Sequence, residues 1–193
     1  MHHALRFLRH WIADPAYIGT IAPSASTLAT LITREINGRS GRVIELGAGT
    51  GVFTRSLRAR GVREANLVLV ERNPAFEARL RARFPHARVL RMDAGRLGDW
   101  TRGEMPCAGA VVSSLPLLSL SAQHVQAILN SAFACLDRDG AFYQSSYAPV
   151  CPVPQRLLDG LGLEAALLGR VWRNMPPAAV YRLRRRVAAA VAA

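Results

Sequence analysis

Short apolar runs alternate along this chain with stretches in which apolar residues recur every three or four positions. The runs predict strands near 42–46, 66–71, 87–92, 108–113, 140–147, 167–173 and 178–184. The wider spacing predicts helices near 3–12, 24–37, 52–60, 74–83, 121–136 and 154–161. Local punctuation agrees. Ser24 stands ahead of Leu28, Leu31 and Ile32 as a helix cap, and Asn73-Pro74 opens the helix carrying Phe76 and Leu80. Ser121 precedes Val125, Ile128 and Leu129, and Asp139-Gly140 marks a turn. Strands that alternate with helices imply an α/β fold, a mostly parallel sheet covered by helices on both faces. The last two strands have no helix between them and add an antiparallel edge. No repeat or low-complexity linker divides the chain, so 1–193 reads as a single domain.

The first helix differs in character. At about 100° per residue, Ala4, Leu5, Phe7, Leu8, Trp11 and Ile12 share one arc of roughly 160°, with His2, His3, Arg6, Arg9 and His10 opposite. A basic amphipathic helix with an aromatic anchor suits the surface of an anionic membrane, and residues 3–12 are the expected contact. The competing expectation is a surface helix that packs on its own domain.

The most specific pattern is the run Val43-Ile44-Glu45-Leu46-Gly47-Ala48-Gly49-Thr50-Gly51, a buried strand ending in a glycine turn that opens into the helix beginning Val52-Phe53-Thr54. Such a turn lets backbone approach a ligand closely, and the helix behind it presents unpaired N–H groups. Glu71 closes the next apolar run, 20 residues past Gly51, where an acid can hold both hydroxyls of a ribose. The ligand therefore carries a nucleoside. The spacing is GxGxG rather than the GxGxxG of dinucleotide sites, and Glu45 stands two residues before the first glycine. A carboxylate there repels a pyrophosphate but suits an ammonium or sulfonium group, such as that of S-adenosylmethionine (SAM). Glu-Leu-Gly-Ala-Gly-Thr-Gly resembles the first motif of the class I SAM-dependent methyltransferases. In that resemblance Glu71 is the ribose-binding acid and Asp93-Ala94 lies at the adenine edge. Ser24, Glu45, Gly47, Ala48, Gly49, Thr50, Gly51, Glu71, Arg72, Asp93, Ala94 and Ser113 form the expected cofactor set, and the fold becomes Rossmann-like.

Composition narrows the partners. The 25 cationic side chains are all arginine, and with 13 acids they give a net charge of +12. The absence of lysine removes a P-loop lysine and a pyridoxal Schiff base. Arginine suits phosphate-rich partners, although a GC-rich coding sequence produces the same bias. Cys107, Cys135 and Cys151 are far apart, no histidine cluster has ligand spacing, and no metal is expected. No signal peptide is evident, and no run reaches the roughly 18 apolar residues of a spanning helix. A soluble or peripheral protein is expected.

Further segments carry a narrower resemblance: Phe7-Leu8 through Trp11, Gly19-Thr20-Ile21-Ala22-Pro23-Ser24, Val111-Val112-Ser113-Ser114-Leu115-Pro116-Leu117-Leu118, Gln144-Ser145-Ser146-Tyr147-Ala148-Pro149, Asn174-Met175-Pro176-Pro177-Ala178 and Val180-Tyr181-Arg182. Together they resemble the bacterial phospholipid N-methyltransferases, which methylate phosphatidylethanolamine stepwise towards phosphatidylcholine. Ala25 and Ala148 depart from that pattern. The resemblance implies a SAM-dependent enzyme, peripheral on the cytoplasmic face of the cell membrane, with a phospholipid substrate and no nucleic-acid partner.

In such an enzyme Ser113 and neighbouring carbonyls orient the amine, and Tyr17 or Tyr147 holds the quaternising nitrogen by cation–π attraction. Each tyrosine is equally well read as a packing residue. Leu115, Pro116, Asn174 and Arg182 are the expected substrate contacts, with Asn174 and Arg182 reaching the lipid phosphate, although Arg182 is equally well read as a solvated strand residue. Three other readings stay open: an RNA adenine N6-methyltransferase of the dimethylase kind, a SAM-binding protein without catalysis, and a soluble small-amine methyltransferase. Against the first, the fourth-strand loop lacks the Asn/Asp-Pro-Pro-Tyr/Phe grip on an exocyclic amine.

Overall fold

A computed structural model describes residues 23–101, 107–148, 150–172 and 177–186. The amphipathic segment 3–12, Tyr17 and Asn174 lie outside the described residues, as does the side chain of Ser24. Seven strands form one sheet: β1 (Arg42–Leu46), β2 (Leu67–Val70), β3 (Arg88–Leu90), β4 (Ala108–Ser113), β5 (Leu136–Ser146), β6 (Leu163–Val171) and β7 (Ala178–Arg185). The order across the sheet is β3-β2-β1-β4-β5-β7-β6. Strands β1 to β5 run parallel, while β7 is antiparallel to both β5 and β6. Around the sheet lie α1 (Pro23–Ile32), α2 (Val52–Ala59), α3 (Pro74–Arg83), α4 (Leu97–Thr101), α5 (Ala122–Cys135) and α6 (Gln155–Gly160).

The expected strands all form, and the differences are at their ends. Helix α1 begins at Pro23, whose fixed φ suits a first helical turn, so Ser24 lies inside that turn and not ahead of it. The same helix ends at Ile32, five residues short of the expected 37. Strand β5 begins at Leu136 rather than near 140, and β6 at Leu163 rather than near 167. The short helix α4 has no counterpart in the periodicity, being too brief to show one.

Burial on both faces explains the continuous apolar runs. Ile44, Leu46, Val68, Val70 and Val111 pack on one face, against Val125, Ile128 and Leu129 of α5. Their chain neighbours Val43, Leu67, Leu69, Ala110 and Val112 pack on the other, with Leu28 and Ile32 of α1, Leu57 of α2 and Leu80 of α3. Asn73 caps α3, accepting hydrogen bonds from the N–H groups of Ala75 (2.9 Å) and Phe76 (3.4 Å). Asn73→Ala is expected to lower stability by about 1 kcal/mol, read as a shift in urea midpoint at constant slope.

Candidate active site

The glycine turn leaves β1 at the carboxyl edge of the sheet, where ligands bind in open α/β folds. Gly47, Gly49 and Gly51 have φ of 74°, 52° and 75°, a left-handed path that glycine follows without strain. Two hydrogen bonds fasten the turn to the neighbouring strand: Gly47 N–H to the Val70 carbonyl (2.8 Å) and Ala48 N–H to the same oxygen (3.3 Å). The Thr50 carbonyl accepts from Arg55 Nη1 at 3.3 Å. Glu71 folds back over the turn. One of its oxygens accepts from Gly49 N–H (2.9 Å) and the other from Asn73 N–H (2.7 Å). Each oxygen keeps a second lone pair for a hydroxyl donor, so the carboxylate fits a ribose.

Glu45 is placed differently from the expectation. Strand alternation puts it on the same face as Val43, beneath the first turn of α2, and only 1% of its surface is exposed. Thr54 Oγ1 donates to its Oε2 at 2.5 Å. Burial lifts its pKa from 4.5 to about 8, against the opposing pull of the Thr54 hydroxyl and the Arg55 charge. The side chain therefore sits behind the turn as an acid that is mostly protonated at neutral pH. A buried acid behind a glycine turn, with no positive side chain bonded to it, fits a cationic ligand group better than a phosphate.

Asp93 ends the third strand's loop. Its Oδ1 accepts from Gly95 N–H (2.8 Å) and meets His124 Nε2 (2.9 Å). Arg72 Nη1 lies 3.8 Å from Oδ2 on an exposed side chain. Burial pulls Asp93 upward, but the Gly95 and His124 hydrogen bonds outweigh it and hold the carboxyl below its ordinary range. It is an anion at neutral pH, with Oδ1 held by Gly95 and His124 and Oδ2 facing Arg72. Ala94 is buried beside it.

The fourth-strand loop meets this turn directly. Ser114 Oγ donates to the Gly47 carbonyl at 2.7 Å, and Ser114 N–H to the Leu46 carbonyl at 3.1 Å. Ser113 is fully buried and its hydroxyl accepts from Leu115 N–H (3.3 Å), so it shapes the loop rather than facing open space. Leu115 and Pro116 are half-buried in the same loop. Gln144 pairs with Ser113 across β4 and β5 and is also fully buried. Its Nε2 donates to the Leu115 carbonyl (2.9 Å) and the Ser145 carbonyl, while its Oε1 has no partner among the described residues.

Tyr147, just beyond β5, is half-buried against the α1 face, and burial pushes its hydroxyl up to about 12. It remains protonated at neutral pH. Arg182 does not stand where a lipid phosphate was expected. Its Nη1 is bonded to both oxygens of Glu35, at 3.2 and 3.1 Å, and Tyr143 donates to the same carboxylate. Its register partner is Tyr143, three residues below the end of β5, or about 10 Å from the carboxyl edge. Thr54, Ser114, His124 and Gln144 are the contributors that the sequence reading did not single out. Thr54 had a signal in its place one turn into the helix after the glycine turn; His124 had none.

No family model matches the chain. Solved structures with this fold include a DhpI–SAH complex, at 18% identity and TM-score 0.65, covering 92% of this chain and 94% of that one. A TehB-like SAM-dependent methyltransferase from Corynebacterium glutamicum, at 16% identity and TM-score 0.63, covers 96% and 99%. In sequence, the ornithine lipid N-methyltransferase of Singulisphaera acidiphila is 31% identical over 182 residues, 91% of each chain. The chain belongs to that family of class I methyltransferases, with S-adenosylmethionine as the methyl donor.

Proposed function

We propose that this chain transfers methyl groups from SAM to the amine of a polar membrane lipid, with ornithine lipid as the first candidate. The reading rests on the 31% identity with the ornithine lipid N-methyltransferase, which extends over 91% of both chains and so over the donor turn and the strand-end loops alike. Phosphatidylethanolamine is the second candidate, supported by the segments around Ser113–Pro116 and Gln144–Tyr147 that resemble phospholipid N-methyltransferases. Both lipids offer an amine on a polar head, so the reacting nitrogen makes the same demands.

The donor supplies an electrophilic methyl group on a sulfonium. The chain's own residues position and desolvate. Glu71 and Asp93 hold the nucleoside, and Glu45, once ionised, balances the donor's positive charge from behind the turn. Ser114 ties the fourth-strand loop to Gly47, which fixes the distance between the donor turn and the loop that presents the amine. An ammonium has no lone pair, so the amine must arrive or become neutral; a half-buried setting favours that form. The proton leaves to solvent, since Tyr147 is already protonated and Ser113 is enclosed.

Gln144 Oε1 is a buried acceptor without a donor among the described residues, a state that costs about 1–3 kcal/mol unless something uses it. An amine N–H is a suitable user. A neutral primary amine offers two N–H groups, a monomethylated one offers one, and a dimethylated one offers none. Gln144→Met is therefore expected to slow the first two transfers about tenfold more than the third, the equivalent of one lost hydrogen bond. The check is to assay the unmethylated, monomethylated and dimethylated lipids separately, because a merely loosened loop would slow all three alike.

Radiolabelled SAM incubated with vesicles that contain ornithine lipid, phosphatidylethanolamine or neither tests the function itself. Label in ornithine lipid is expected. Label in phosphatidylethanolamine alone selects the second candidate, and label in neither lipid overturns the reading.

A further inference from the structure

Four large apolar side chains are conspicuously exposed among the described residues: Leu118 (53%), Val150 (59%), Leu167 (44%) and Trp172 (72%). Single exposed apolar residues are ordinary, and Leu167 lies within β6, but the other three share one edge of the sheet. Leu118 follows β4, Val150 follows β5, and Trp172 follows β6. Strand β6 runs parallel to β5, because both are antiparallel to β7, so the three residues leave the same carboxyl edge as the glycine turn. The exposed Arg72 and Arg91 follow β2 and β3 at this edge, and Arg170 lies 5.9 Å from the Trp172 ring centroid near the end of β6.

We infer that this edge docks on an anionic lipid bilayer, with Leu118, Val150 and Trp172 entering the interface around the donor site and the arginines meeting lipid phosphates. The inference rests on the lipid substrate proposed above and names the surface through which it arrives. An apolar triad with an indole among arginines fits the boundary between headgroups and acyl chains. A soluble acidic partner would meet the arginines but leave three apolar side chains without a purpose. The course of α1 points the same way. Leu31 lies against Gly169, whereas Glu35, one turn later, reaches Arg182 beside Ala166. Helix α1 thus descends from the carboxyl edge, with Pro23 at its upper end. The basic amphipathic pattern at 3–12 precedes it in the sequence.

The test uses the full chain. Vesicles of phosphatidylglycerol and phosphatidylcholine, which lack a substrate amine, are pelleted with wild type and with a triple variant, Leu118→Ser, Val150→Ser and Trp172→Ser. The variant is expected to lose vesicle affinity by about tenfold or more. Its SAM affinity by calorimetry and its melting temperature are expected to match wild type, because the three side chains are exposed. Hydrogen exchange of wild type on the same vesicles is expected to protect segments 116–119 and 170–172. Unchanged vesicle affinity in the variant overturns the inference. So does protection that is already present in solution and lost on vesicles, which would mark these residues as the seat of another part of the chain. Vesicle binding through the triad, with no methylation of any aminolipid, would keep the surface and reject the proposed function.

Discussion

Glu45→Gln is expected to raise the thermal stability of the donor-free protein at pH 8.5 and to weaken SAM binding about a hundredfold. Both effects follow from one buried carboxyl group. In the unfolded chain the acid ionises near 4.5, and in the folded protein near 8. Between those values the folded state holds a proton that the unfolded state has released, so stability falls as pH rises through this window. Glutamine keeps the shape and accepts from Thr54, but has no charge to bury. The variant and wild type should therefore melt alike at pH 4.5 and separate progressively up to pH 8.5, with the variant the more stable. Donor binding reverses the preference. A cation beside Glu45 favours the ionised form, so wild type must release a proton on binding SAM below about pH 8. Its affinity should rise with pH from 6 to 8, and the binding heat should depend on the ionisation enthalpy of the buffer. The variant should show neither effect. Losing one buried charge partner costs about 3 kcal/mol, hence the hundredfold. Equal affinity in variant and wild type would remove Glu45 from the donor site.

Gly47→Ala is the second large effect, and it acts through backbone and space together. At φ 74° an L side chain is strained by roughly 1–2 kcal/mol. The new Cβ would also stand 2.9 Å from Leu115 Cδ2 and 3.1 Å from Ser114 Oγ. The Leu115 methyl is the free end of a flexible side chain and can rotate away, but Ser114 joins the donor turn to the amine-presenting loop and cannot retreat without straining its hydrogen bond to the Gly47 carbonyl. The melting temperature is expected to fall by about 5–10 °C, from a total near 2–3 kcal/mol. Methyl transfer should fall much further than stability does, at least about a hundredfold, because a misplacement of an ångström between donor and amine is felt directly in the rate. An enzyme that melts lower but turns over normally would show that the loop is not held to the turn for catalysis.

These two residues also mark the limit of what could be read from the chain. Gly47, Gly49 and Gly51 were legible because a left-handed turn after an apolar strand leaves few alternatives to glycine. Glu71 and Asp93 were legible because each closes a strand in a fold whose ligands sit at strand ends. Glu45 was recognised as the acid of the turn, but its burial and its raised pKa come from α2, which packs over it and supplies Thr54. Ser113 read as a group that orients the amine, and its hydroxyl is enclosed as a brace of the loop, whereas its neighbour Ser114 makes the contact with the turn. Arg182 read as a phosphate ligand because cations suit phosphates; Glu35, 147 positions away, claims it.

The alternation of short apolar runs with helical spacing determined seven strands, their mostly parallel pairing and the edge at which a nucleoside binds, because local periodicity and glycine geometry act over a few residues. Partnership across the sheet was decided only by the tertiary structure. Gln144 beside Ser113 and His124 on Asp93, each pair 31 positions apart, and three apolar side chains gathered at one edge all depend on strand order and register. No local pattern encodes such distances. They arise when the two faces of the sheet are buried at once.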